Sequence, residues 1–154
     1  MKVKILLLFI LLLISCSKQD EKFYPQYTYN FSQEEREVMH VTNVYRNSIN
    51  LDTLQPKEHI GYVCLEHNQY MIENDTMNHN YFYSRSENLM NTLHTCRVGE
   101  VLAYNYGSPQ SVLNAWISSP GHKTIIEGDF TNFGVSIRED LYGRKYYTFI
   151  FVKI

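Results

Sequence analysis

VGEVLAYNYGSPQSVLNAWISSPGHKTII, residues 98–126, encodes a strand, a sharp turn and a helix in immediate succession. Residues 98–106 are mostly β-branched, aromatic or small, with Glu100 near the start of the run, and Gly107 ends it. Ser108 is a helix cap, and Pro109 suits the first helical turn, where a missing N–H costs nothing. Val112, Leu113, Trp116 and Ile117 then recur at helical spacing and form one apolar stripe that includes the chain's single Trp. Ser119-Pro120-Gly121 breaks this helix and presents His122 just beyond the break. One carboxylate and one imidazole are thereby held at the two ends of a strand–turn–helix unit, an arrangement that builds a cleft.

Working back to the start, 154 residues are enough for one domain plus a leader. Residues 1–15 read as a secretory signal. Lys2 and Lys4 precede an apolar run over residues 5–14, which is too short to cross a bilayer core of roughly 30 Å as a helix. Leu13-Ile14-Ser15-Cys16 has the form of a bacterial lipobox, with cleavage before Cys16 and lipidation of its sulfur. An ordinary signal peptide with Cys16 as a chance neighbour is the alternative. Each buried methylene of an acyl chain contributes about 0.8 kcal/mol, so several chains anchor a protein stably. Loss of the leader takes the formal charge from −2 to about −4, and with no basic run this argues against nucleic acid or an anionic surface as partner.

Residues 16–31 then form the lipidated Cys and a polar tether, and residues 32–154 the folded domain. Tyr24, Tyr27, Tyr29 and Phe31 are too aromatic for a free linker. They read as a strap on the outside of the domain, with ligand contact as the alternative. Ser32 to Glu35 fits a capping box that opens a helix to about Ser48, with Val38, Val41, Tyr45 and Ile49 inward. A second helix over residues 57–73 places Ile60, Cys64, His67 and Met71 on one stripe. Asn78-His79-Asn80 follows in a loop, with Tyr81-Phe82-Tyr83 packed beneath it, a short helix over residues 86–93, and His94 on the surface. Residues 130–138 and 146–154 read as strands joined by a turn at Tyr142-Gly143. The class is α+β.

Of the three cysteines, Cys16 is assigned to the lipid, leaving Cys64 and Cys96. An even remainder in an exported protein points to one disulfide closing a loop of about thirty residues. The alternative is a small buried apolar Cys64 and a separate thiol at Cys96.

The order of these motifs resembles the bacterial branch of the CAP superfamily (SCP-like domains; cysteine-rich secretory proteins, antigen 5, pathogenesis-related 1). The resemblance is carried by Asn43-x-x-Arg46, Cys64-x-x-His67-Asn68-x-x-Met71, Gly99-Glu100, Trp116 with Ser119-Pro120-Gly121-His122-Lys123, Gly134-Val135-Ser136-Ile137 and Tyr146-Tyr147-Thr148. It implies a three-layer α/β/α sandwich around a small antiparallel sheet of about three strands. It also implies a cleft lined by His79, Glu100 and His122, with His67 either nearby or a hydrogen-bonded core histidine, and Tyr146 as a polar lining. Departures from the family pattern are Val101 after the Glu, Ser119 in place of a second Glu, and Tyr146 and Phe149 in place of a His and a Gln.

Two imidazoles and a carboxylate can bind zinc or another divalent cation with a fourth position open, or can share protons without any metal. A Glu–His pair can activate water, yet no nucleophile with its own base and no set of oxyanion donors is recognisable. The resemblance therefore implies a monomeric, lipid-anchored binding module of a bacterial cell envelope, with a lipid, sterol, polysaccharide or divalent metal as ligand. A metal- or Glu/His-dependent hydrolase and a structural or adhesive envelope protein are the alternatives. The lipobox reading has a direct check: Cys16→Ser should move the protein from the membrane to the soluble fraction, and unchanged membrane partition would refute it.

Overall fold

The computed structural model describes residues 24–154, so the signal segment, Cys16 and the first part of the tether lie outside the described residues. Five helices and four strands follow in the order α1 (Gln33–Ser48), β1 (Gln55–Pro56), α2 (Glu58–Glu73), α3 (Phe82–Leu93), β2 (Arg97–Tyr104), α4 (Pro109–Ser118), α5 (Pro120–Ile126), β3 (Asn132–Glu139) and β4 (Lys145–Lys153). The strands form one sheet in the order β1-β3-β4-β2. β4 is antiparallel to both neighbours, whereas β1 runs parallel to β3. The sheet is thus mixed and four-stranded rather than antiparallel and three-stranded. The extra strand escapes a sequence reading because it is two residues long and contains Pro56. Gln55 and Lys57 donate their N–H groups to Thr131 and Phe133 at 2.9 Å each, and Pro56 between them needs no donor on an edge strand.

The sheet is covered on both faces. Val101, Ala103, Val135, Tyr147, Phe149 and Phe151 meet Val38 and Met39 of α1 and Val112, Leu113 and Trp116 of α4 on one side. On the other, Ile150 and Val152 meet Ile60, Val63 and Cys64 of α2 and Leu89 and Leu93 of α3. This is the expected three-layer α/β/α architecture, and it explains why β4 is apolar almost throughout rather than alternating. Buried aromatic rings dominate the first side, with Phe149 and Phe151 4.4 Å apart between centroids.

Several local expectations hold. Ser32 and Glu35 form a reciprocal capping box, as do Ser108 and Ser111 on either side of Pro109. Asn50 adopts a left-handed conformation (φ 63°), and His94 ends α3 on the surface. The inward stripe of α1 is different, however: Glu35, Val38, Met39, Thr42 and Arg46 are buried, while Ile49 is exposed. Sequence patterning does not place a carboxylate and a guanidinium inside a core. They are tolerated because every charge is met. Glu35 accepts from Tyr29 Oη, Ser32 N, Ile137 N and Arg138 Nη1. Arg46 donates to the carbonyls of Asp52, Ile126 and Gly128.

Three further expectations are corrected. Cys64 and Cys96 are not bridged. Cys64 is fully buried on α2 with its thiol directed at the Gly134 carbonyl (3.2 Å), whereas Cys96 is exposed ahead of β2. Ser119-Pro120-Gly121 does not simply end a helix: Ser119 caps α4 and begins α5, with Pro120 in the first turn, so His122 sits inside a second short helix. Tyr81 and Tyr83 are exposed rather than packed under the His79 loop, and α3 begins earlier than expected, at Phe82.

The strap is real for part of its length. Tyr29 is buried, and its ring with that of Phe31 fills the space over Gly61 on α2. α2 in turn lies directly on β3: a Cβ at Gly134 would stand 2.5 Å from the Gly61 nitrogen and 2.8 Å from Ile60 Cβ. Gly134→Ala must therefore push a helix off the sheet, at a cost of about 1–3 kcal/mol. A lower urea midpoint at unchanged slope checks this, and an unchanged midpoint would contradict it.

Candidate functional site

Glu100 enters the site because β2 alternates: Val101 and Ala103 face α4, so Glu100 and Leu102 face α2 and α3. Its side chain is 1% exposed. Arg85, from the first turns of α3, meets it in a bidentate pair, Nε to Oε2 and Nη2 to Oε1, both at 2.8 Å. The third partner is His79, whose Nδ1 lies 2.8 Å from Oε1. Burial alone would raise the Glu100 pKa, but His79 and the Arg85 guanidinium outweigh it and hold the carboxyl below its ordinary value.

The His79 loop is clamped on both flanks. His67, buried on α2, bonds through Nε2 to the Asn78 carbonyl at 2.8 Å. Arg85 Nη1 donates to the Asn80 carbonyl at 2.7 Å. His67 is thus a buried, hydrogen-bonded residue that holds the loop at Asn78. Burial, then the nearby Arg85 charge, lowers its pKa. His79 is half exposed at its side chain, with Nδ1 engaged by Glu100.

Across the strand edge, α5 supplies the facing wall. His122 lies in its first turn, and its pKa is lowered by burial and then by the charge of His79. A groove of about 460 Å³ runs between the walls, with His79, Phe82 and Glu100 on one side and Thr124, Ile125 and Phe130 on the other. Arg97, Val98 and Gly99 of β2 lie between them. His122 itself stands outside this lining.

Tyr146 belongs elsewhere. It is opposite Tyr104, whereas Glu100 is opposite Ile150, so it lies on the same sheet face but about 13 Å further along. There it lines a separate pocket with Asp75, Met77 and Arg144. The residue that sequence reasoning left out of the site is Arg85. Arg85 matches a recurring Arg of the resembling family, but its pairing with a buried acid needs the fold.

The donor set does not suit a resident zinc ion. Both Glu100 oxygens are occupied by Arg85 and His79, leaving two imidazoles where zinc takes at least three protein ligands. Among the described residues, no group of three or more His, Cys, Asp or Glu side chains is placed to hold a metal.

Removing Arg85 would strand a buried carboxylate. Arg85→Met should cost about 3–5 kcal/mol near pH 7. Wild-type Glu100, with its pKa lowered on folding, contributes stability above its unfolded value and loses it as pH falls through the folded one. In the variant chiefly His79 still opposes burial and the carboxyl shifts up, so acidification relieves the penalty. The gap between the two urea midpoints should narrow from pH 7 towards about pH 4; a gap independent of pH would contradict the pairing.

Comparison with known proteins agrees with this architecture. The family model described as the cysteine-rich secretory protein family, CAP, matches residues 39–152. The membrane protein YlbC of Bacillus subtilis is 30% identical over 123 residues, covering 77% of this chain and 34% of that protein. The chain thus spans about a third of the length of this curated relative. Among solved structures, an outer surface protein of Borrelia burgdorferi aligns with a TM-score of 0.72 at 20% identity, over 84% of this chain and 98% of that one. An extracellular SCP-domain protein of Bacillus anthracis aligns with a TM-score of 0.69 at 22% identity, over 79% of this chain and 40% of that one. At these identities the structural likenesses establish the fold alone. Together with the family match, which covers most of the folded region, they make this chain a member of the cysteine-rich secretory protein (CAP) family.

Proposed function

We propose that this CAP-domain protein is a binding module of a bacterial cell envelope, held there through a lipidated Cys16, and that the groove beside Glu100 takes an organic ligand. The observation that carries the reading is the bidentate Arg85–Glu100 pair at the groove floor. It leaves a carboxylate that is ionised, immobile and already satisfied, which makes a good floor and a poor general base. Ser118, near His122, donates to the Asn114 carbonyl, and Thr124 donates to the Pro120 carbonyl. These features favour binding over hydrolysis. The apolar walls of Phe82, Ile125 and Phe130, with Arg97, His79 and Thr124 as polar points, match the usual composition of a small-ligand site.

An envelope location is supported by the leader and lipobox, by the description of the Bacillus subtilis relative as a membrane protein, and by the outer-surface and extracellular descriptions of the structural neighbours. Among the described residues no helix is long and apolar enough to cross a membrane.

An anilinonaphthalene sulfonate dye tests the groove. Thr124→Tyr, on the exposed wall, should weaken dye binding at least tenfold with little change in melting temperature; equal binding by both proteins would refute the groove as the site. Zinc should leave the melting temperature unchanged, because two imidazoles make an incomplete donor set. A rise that His79→Ala abolishes would contradict this.

A further inference from the structure

The groove lies along an open sheet edge. β2 ends the strand order, so only β4 pairs with it. Along an antiparallel strand, alternate residues send both backbone groups to the same side. The direction is fixed at three places. Lys145 O receives Asn105 N on the β2 side of β4, Val152 O receives Thr131 N on the β3 side, and Leu102 O receives Trp116 Nε1 at 2.8 Å on the outer side of β2. Arg97, Gly99 and Val101 therefore bond to β4, while the N–H and C=O groups of Val98 and Glu100 point outward. Both residues line the groove. Trp116 closes the ladder at Leu102, so the open stretch is short and has a defined end.

We infer that the groove binds an extended peptide segment, which adds as a short strand to β2 through the backbone of Val98 and Glu100 and places a carboxylate near Arg97 and His79. The inference rests on the groove reading above and names its ligand class. Apolar grooves that merely hold oily molecules have no use for a free ladder edge at their floor. Here unpaired donors and acceptors lie between two walls that would receive the alternate side chains of an added strand, towards Phe82 on one side and towards Ile125 and Phe130 on the other. Charge favours an acidic group. Arg85 neutralises Glu100 and Lys153 pairs with Asp129 at 2.6 Å, while Arg97 reaches Asp129 only at 3.9 Å and stays half exposed.

The test uses the purified protein, uniformly labelled with ¹⁵N, and a pool of linear tetrapeptides with free C-termini. The tightest binder is then remade with each backbone amide N-methylated in turn, and with its carboxylate amidated. Binding should slow hydrogen exchange at the Val98 and Glu100 amides. N-methylation should weaken binding at least tenfold at alternate positions only, and amidation should weaken it severalfold. N-methylation that is equally tolerated everywhere, or binding without protection at these two amides, would overturn the proposal. Protection that rises with protein concentration and no peptide would overturn it in favour of a second copy of this chain. If no peptide displaces dye that Thr124→Tyr excludes, the groove stands and the peptide assignment falls. If the dye ignores Thr124→Tyr, the underlying groove reading fails instead.

Discussion

The site is held together by one ion pair. Glu100 is buried on an edge strand, and a buried carboxylate persists as an anion only where hydrogen bonds and an opposite charge replace water. Arg85 supplies both, and in doing so it fixes α3 against β2. The same guanidinium reaches the Asn80 carbonyl, while His67 takes the Asn78 carbonyl from α2. His79, between these two residues, is thereby held in place by backbone contacts on either side. Its bond to Glu100 then orients the ring. An exposed loop histidine acquires a defined direction because its neighbours, rather than the residue itself, are buried.

This arrangement determines what the site can do. A carboxylate paired with a bidentate guanidinium is held in its charged form and in one orientation, so Glu100 balances charge at the groove floor. Ser119, which stands where the wider family carries a second Glu, is the shared cap of α4 and α5 and has a structural task. The groove lies at the strand edge, where α5 and the His79 loop form its two walls and β2 its floor. Of the two imidazoles, only His79 is a polar point in the mainly apolar groove; His122 stands beside it.

Much of this was legible in the sequence because local rules and tertiary packing agree. Ser108-Pro109 starts a helix wherever it lies, and a stripe of Val112, Leu113 and Trp116 must be buried against something. Glu100, His79 and His122 were recognisable by their place in the motif order, and two of them are in direct contact. The remainder depended on partners distant in sequence. Arg46 and Arg85 fall at motif positions, but that they are buried follows only from the carbonyls and the carboxylate that satisfy them. β1 is too short to carry a pattern and contains Pro56, which local rules read as a lead-in. Cysteine parity pointed to a bridge, but parity says nothing about direction, and Cys64 faces the sheet while Cys96 faces solvent. Tyr146 was placed in the cleft by motif position, yet the strand register carries it past the site.

The most direct test of the account is the titration of the Glu100 side-chain carboxyl by ¹³C NMR. A locked, charge-balanced floor requires a single titration below the ordinary glutamate value of about 4.3. A carboxyl that titrates near neutrality would be a proton carrier of the kind a hydrolase uses, and would contradict the binding account at its centre.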